Sequence, residues 1–236
     1  MLDAFRAVRI GTKTGFYIHA RGQAAVEAGV LHDGQAGHRH SLAPDFIDWQ
    51  TRRSVADLGR ADIVFVHNPE TVGSGDRDLL RVELRATFEV FEGLVGSGLI
   101  GGYGVATCSG FTEDAFTIPE LPALARQTGG PGHHLAAVQQ PDSLVMAHPI
   151  TRALDGRGPL VQARSAGFLA FGSAPLHGGE LRDLVTPERV ELIRPGAHPA
   201  KACLLAAGSC PSLDVLLVSA STREHWTPPC RNWTTR

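Results

Sequence analysis

The run Ile63-Val64-Phe65-Val66 admits few folds. Consecutive β-branched and aromatic residues without alternation describe a strand buried on both faces, as in a parallel sheet. Asp62 precedes the run, and His67, the chain-breaking pair Asn68-Pro69 and Glu70 follow it. A histidine at the C-terminal mouth of a buried strand stands where α/β barrels place their chemistry.

The rest of the chain is read around that strand. Residues 5–15 read as a short strand that ends in a polar, glycine-flanked turn, so Lys13 leaves a strand as His67 does. A strand-end lysine near a histidine is a proton-relay or pKa-tuning partner. Residues 16–40 carry His19, His32, His38 and His40, whose spacing fits no standard metal site, and read as a basic surface loop. Helical spacing is expected over residues 41–58, ended by Gly59, and over 76–97, with Leu79, Leu80, Leu84, Phe88 and Phe91 inward. Strands are expected over 99–107, 134–140, 167–171 and 213–218, and helices over 118–127, 199–207 and from Ser221 onward. Strand and helix therefore alternate through about six strands with polar residues at their C-terminal ends. The expected fold is α/β, an incomplete (β/α) TIM-type barrel of parallel strands, as one domain over residues 1–236.

Composition narrows the partners. At 236 residues the chain can bury a sizeable core, and its 43% apolar and 19% charged content is ordinary for a globular protein. A net charge of −2 gives no electrostatic case for nucleic acid or an anionic membrane. No stretch approaches the roughly 18 apolar residues of a membrane span, nor a signal peptide. Cys108, Cys203, Cys210 and Cys230 form no Cys-x-x-Cys pair and read as reduced thiols. A cytoplasmic protein is expected. Of 22 basic residues only Lys13 and Lys201 are lysines.

These stretches together resemble the aldo/keto reductases, (β/α)8 barrels that use NAD(P)H. Val8 to Gly15 is similar to that family's third strand, whose Thr-Lys ending carries the catalytic lysine, here Lys13. Ile63 to Glu70 resembles the fourth strand with its catalytic histidine, here His67. The segment from Gly102 to Phe111 resembles the fifth strand, whose end contacts the nicotinamide carboxamide, with Thr107 and Ser109 nearest. Gln139 matches the glutamine that touches the same ring, and Phe171 and Ser173 fall in the segment lying over the cofactor. Arg223 and Glu224 fall in the segment that receives its adenine end.

Departures are equally specific. On this resemblance the chain opens just before the family's third strand, so the family's aspartate and proton-donating tyrosine have no counterpart. Only Tyr17 and Tyr103 are present, and neither matches; Tyr17, four residues past Lys13, is the candidate substitute acid. The resemblance implies NADPH-dependent reduction of a small carbonyl compound, with weakened cofactor binding and with His67 or Tyr17 as acid. The alternatives are a non-redox acid–base enzyme (cyclisation, dehydration or isomerisation) on the same scaffold, and a non-catalytic assembly subunit. Unpaired outer strand edges further imply a homodimer.

Overall fold

The computed structural model describes residues 8–220 together with residue 222. Six strands follow one another in one sheet in chain order: β1 (Gly11–Thr14), β2 (Ile63–His67), β3 (Tyr103–Ala106), β4 (Leu135–Pro141), β5 (Leu169–Ser173) and β6 (Val215–Leu216). They form an incomplete α/β barrel of parallel strands. Helices α1 (His19–Glu27), α2 (Pro44–Leu58), α3 (Arg77–Gly96) and α4 (Glu120–Gly129) precede β4. After it come α5 (His148–Leu154), α6 (Pro159–Ser165), α7 (Leu181–Leu184), α8 (Pro187–Ile193) and α9 (Pro199–Gly208). Contacts divide the chain into two compact units, Met1–Val138 and Gln139–Arg236, with the boundary inside β4. Among the described residues no helix is long and apolar enough to cross a membrane.

In the first unit the apolar run becomes β2, with Val64, Phe65 and Val66 all buried. α3 covers it because its buried residues Leu80, Leu84, Phe88, Phe91 and Leu94 recur at helical spacing on one face. Asp76 caps that helix, its side chain accepting from the Asp78 and Leu79 amides. Phe88 and Phe91 pack on Tyr103 with ring centroids 5.2 and 5.3 Å away. Gly104 lets β3 lie close: a Cβ there would stand 2.6 Å from the Ala137 carbonyl oxygen and 2.7 Å from the Phe65 ring. α2 starts with Pro44 in its first turn and ends at Gly59, whose φ of 79° is the left-handed conformation that glycine tolerates best.

The second unit holds the helices that periodicity misses. α5, α6 and α8 have seven residues each, two turns, and each carries a proline at its first or second position. Its core includes Leu160, Ala163, Phe168, Ala170, Leu181, Cys203 and Leu204. β6 is shorter than the expected 213–218 strand. Asp214, just before it, exchanges bonds with Ala170: its amide donates to the Ala170 carbonyl at 2.9 Å, and its carboxylate accepts from the Ala170 amide at 2.8 Å.

Candidate active site

Register places the site. β1 and β2 are parallel with Lys13 opposite Phe65 and Thr14 opposite Val66. Lys13, Phe65 and His67 therefore share one face of the sheet, since side chains alternate along a strand. Thr14, on the other face, donates its hydroxyl to the Gln50 side-chain oxygen on α2 at 2.7 Å. The same oxygen accepts from the Gly15 amide at 2.8 Å, and the Gln50 amide nitrogen donates to the Phe16 carbonyl at 2.8 Å. One glutamine thus fixes three successive residues at the exit of the strand that carries Lys13.

Immediately after His67 the chain turns. Asn68 takes a positive φ of 47° and donates its amide to the Ala106 carbonyl at 2.6 Å. A 3-10 turn, Pro69–Gly75, follows and carries Glu70 to the end of β3. There a single carboxylate oxygen, Glu70 Oε1, accepts from the Thr107 hydroxyl at 2.6 Å, the Cys108 amide at 2.8 Å and the Ser109 amide at 3.1 Å. Its second oxygen is buried and has no hydrogen-bond partner.

A second histidine joins the first. His40 Nε2 lies 2.8 Å from the His67 carbonyl oxygen, and Nδ1 lies 3.2 Å from the Thr71 hydroxyl. A carbonyl can only accept, so Nε2 carries the hydrogen; the Thr71 hydroxyl, 2.9 Å from the Asn68 carbonyl oxygen, donates there and stands beside Nδ1. Phe16 presents its ring edge-on to both histidines, at 4.5 Å from His40 and 4.9 Å from His67. Gly15 makes room for the imidazole. Its φ is 116°, and a Cβ there would stand 3.1 Å from His40 Nε2 and 3.4 Å from the His67 carbonyl oxygen.

Charge in this group is one-sided. Burial, and then the neighbouring Lys13 and His40, push His67 down to about 4, against a smaller upward pull from Glu70. Burial likewise lowers His40, countered by its bond to the His67 carbonyl and by Glu70. Lys13 is partly buried and lowered by burial. Among the described residues it forms no ion pair and no hydrogen bond through its side chain. At neutral pH the group is therefore a cationic or neutral lysine beside two uncharged imidazoles.

This alters the expected roles. With its pKa near 4, His67 holds no extra proton at neutral pH and is not poised to be the acid that replaces the tyrosine. Tyr17 is not brought to the pair. The turn at Gly15 sends its ring into the cluster of Ala25, Leu31 and Phe46, and its hydroxyl donates to the Gln35 carbonyl at 2.7 Å. Burial raises its pKa as well. Thr107 is 4% exposed and already committed, donating to Glu70 and accepting from the Gly110 amide at 2.7 Å. Ser109 is partly buried, and its carbonyl accepts from the Thr112 and Glu113 amides. Residues 16–40 are not a simple surface loop: they contain α1 and a 3-10 turn and deliver His40. The roles of His40, Gln50 and Glu70 escaped the sequence reading because their partners lie 27 to 39 positions away.

The second unit has its own polar group. Gln139, Gln140, Asp142 and Ser143, at the end of β4, are 3%, 4%, 0% and 0% exposed. Gln139 Oε1 and Gln140 Nε2 are buried without a hydrogen-bond partner, and the buried Asp142 carboxylate has the Cys210 thiol as a polar neighbour. Burial lifts Asp142 to about 6, and the Cys210 thiol beside it is pushed up to about 12, chiefly by burial. Phe171 and Ser173 lie on β5, where the Ser173 carbonyl accepts from the Asp142 amide at 2.9 Å. Arg223, Glu224 and Cys230 lie outside the described residues. Among the described residues no three metal-ligating side chains come together.

No protein-family profile and no curated protein matches the sequence. Solved structures do. A protein assigned as a 2,5-diketo-D-gluconic acid reductase B is similar at a TM-score of 0.57 and 17% identity, over 94% of this chain and 70% of that one. The glycerol dehydrogenase AKR11B4 from Gluconobacter oxydans is similar at 0.53 and 14%, over 75% of this chain and 55% of that one. The holo form of the aldo-keto reductase AKR11C1 from Bacillus halodurans scores 0.48 at 14% identity, over 90% of this chain and 72% of that one. At these identities the likeness is one of architecture, and the fold of this chain is that of the aldo/keto reductases.

Proposed function

We propose that this chain is an aldo/keto reductase-like oxidoreductase that binds NADPH and acts on a small carbonyl compound at Lys13 and His67. The observation that carries the reading is the pair itself: a partly buried lysine and an uncharged histidine, on one face of adjacent strand ends, in an aldo/keto reductase fold. A bound nicotinamide supplies the hydride. Lys13, as the ammonium, gives the proton to the carbonyl oxygen, and its positive charge stabilises that oxygen as negative charge develops there. The neutral His67 ring orients the carbonyl by hydrogen bonding, and the His40 bond to its backbone holds that ring in place.

Gln139 suits the cofactor, because its orphaned, buried Oε1 is an acceptor for an amide N–H such as the nicotinamide carboxamide presents. Thr107 suits it less, since its hydroxyl proton is already given to Glu70. The expected result is saturable but weak NADPH binding, read by quenching or enhancement of NADPH fluorescence. No saturable change up to millimolar cofactor would remove the redox reading.

The same proposal includes a homodimer. β1 and β6 stand at the two ends of the sheet order, and an edge strand is a template for pairing with another chain. Light scattering is expected to give the mass of two chains. The mass of a single chain across micromolar concentrations would count against the dimer alone.

A further inference from the structure

Lys13 carries a feature that proton donation does not need. Here Lys13 shares one sheet face with Phe65 and the uncharged His67, and no carboxylate among the described residues forms an ion pair with the amine. The nearby Glu70 is turned away, with one oxygen spent on Thr107, Cys108 and Ser109. Amines become nucleophiles at neutral pH when they are desolvated and placed beside other groups that disfavour the ammonium. Burial acts on Lys13 in that direction.

We propose that Lys13 forms a Schiff base with the carbonyl compound bound at this site. The inference rests on the reading of Lys13 and His67 as a carbonyl site, but it needs no cofactor. The Nζ lone pair attacks the carbonyl carbon, and the C–O π pair moves to oxygen. Nitrogen then gives up its two protons as the C–O bond breaks, oxygen leaves as water, and a C=N bond remains. Protonated from solvent, the imine is an electron sink that makes the adjacent C–H acidic, which would open cyclisation, dehydration or isomerisation to the same scaffold. His67, neutral at pH 7, is the base available beside it.

The lysine count makes the test clean, because Lys13 and Lys201 are the only lysines in the chain. The purified protein is incubated with dihydroxyacetone and cyanoborohydride at pH 7, without NADPH, then digested and mapped by mass spectrometry. A trapped adduct adds the probe less one oxygen. The expected result is labelling of Lys13 at least ten-fold faster than Lys201 and the terminal amine, with saturation in probe concentration. Equal labelling of both lysines, or labelling of Lys13 that rises linearly without saturating, overturns the proposal. The wild-type chain is used throughout, so no variant has to fold. NADPH binding without selective labelling would leave the reductase reading standing alone, and selective labelling without NADPH binding would leave only this one.

Discussion

Replacing Lys13 by methionine is expected to lower turnover of a carbonyl substrate by about 10²–10⁴-fold, the range for losing a positioned proton donor. Methionine keeps the length and most of the apolar stem, so the fold should survive; the far-ultraviolet spectrum and the melting temperature check that. The pH profile carries the mechanism. With His67 held at about 4, no limb near 6.5 is expected, because the imidazole is uncharged from pH 5 upward. The alkaline side belongs to Lys13, whose pKa lies below its ordinary value. If the lysine works as an acid, the rate falls as pH rises through that pKa, since the donor is lost. If it works as an amine nucleophile, the rate climbs over the same interval, since the free base appears. The two chemistries thus differ in sign on one measurement. A profile governed by a group near 6.5 would show that His67 is not held down as this geometry requires.

The parts of this protein that could be read from its sequence are those whose cause is local. β2 announces itself because four consecutive apolar residues can satisfy burial on both faces without help from elsewhere. Lys13 and His67 are visible because a polar residue that closes an apolar run must sit at the strand's end. α3 was legible through a spacing that repeats over five turns, although Leu79, expected inward, is 41% exposed, and its cap Asp76 stands one residue outside it. The two-turn helices α5, α6 and α8 repeat too few times to establish a period, although their first-turn prolines are a start signal. Tyr17 misleads because nearness in sequence to Lys13 is not nearness in space. The positive φ at Gly15 reverses that expectation by placing Phe16 against the histidines and Tyr17 in the apolar cluster behind them. His40, Gln50 and Glu70 had no local signature at all. Each acts by a hydrogen bond to a strand end that is distant in sequence, and only the folded chain supplies the partner.

The largest expected loss of stability comes from Glu92, which lies away from the Lys13 group. Its Oε1 accepts from the Tyr103 hydroxyl at 2.8 Å and the His134 amide at 2.8 Å, and its Oε2 lies 2.7 Å from His134 Nδ1. Tyr103 is fully buried, so its hydroxyl has no water to turn to if the acceptor goes. The carboxylate is fitted to its place: a Cβ on Gly129 would stand 2.5 Å from Glu92 Cδ. Glu92→Ala therefore strands one buried hydroxyl and opens a small void, an expected loss of about 3 kcal/mol, of which about 1–3 kcal/mol is the stranded hydroxyl and the rest the void. For a chain of this length that corresponds to a melting temperature lower by about 6–12 °C. Glu92→Gln keeps an acceptor oxygen for Tyr103 and the amide, and about 1 kcal/mol is expected instead. Acidity should reproduce the effect. Burial alone would raise the Glu92 pKa, but the bonds from His134 and Tyr103 together outweigh it and hold the carboxyl below 4.5. A carboxylate depressed on folding contributes stability that is whole above its unfolded pKa and is lost as pH falls through the folded one. The wild-type protein should therefore lose stability as the pH is lowered below about 4.5, and Glu92→Ala should lose less over that interval because part of the loss has already been taken. Denaturant melts of both proteins at pH 7 and below pH 4 measure this directly. A Glu92→Ala variant within about 0.5 kcal/mol of wild type at pH 7 would mean that Tyr103 and His134 find other acceptors and that the carboxylate is not what joins β3 to the start of β4.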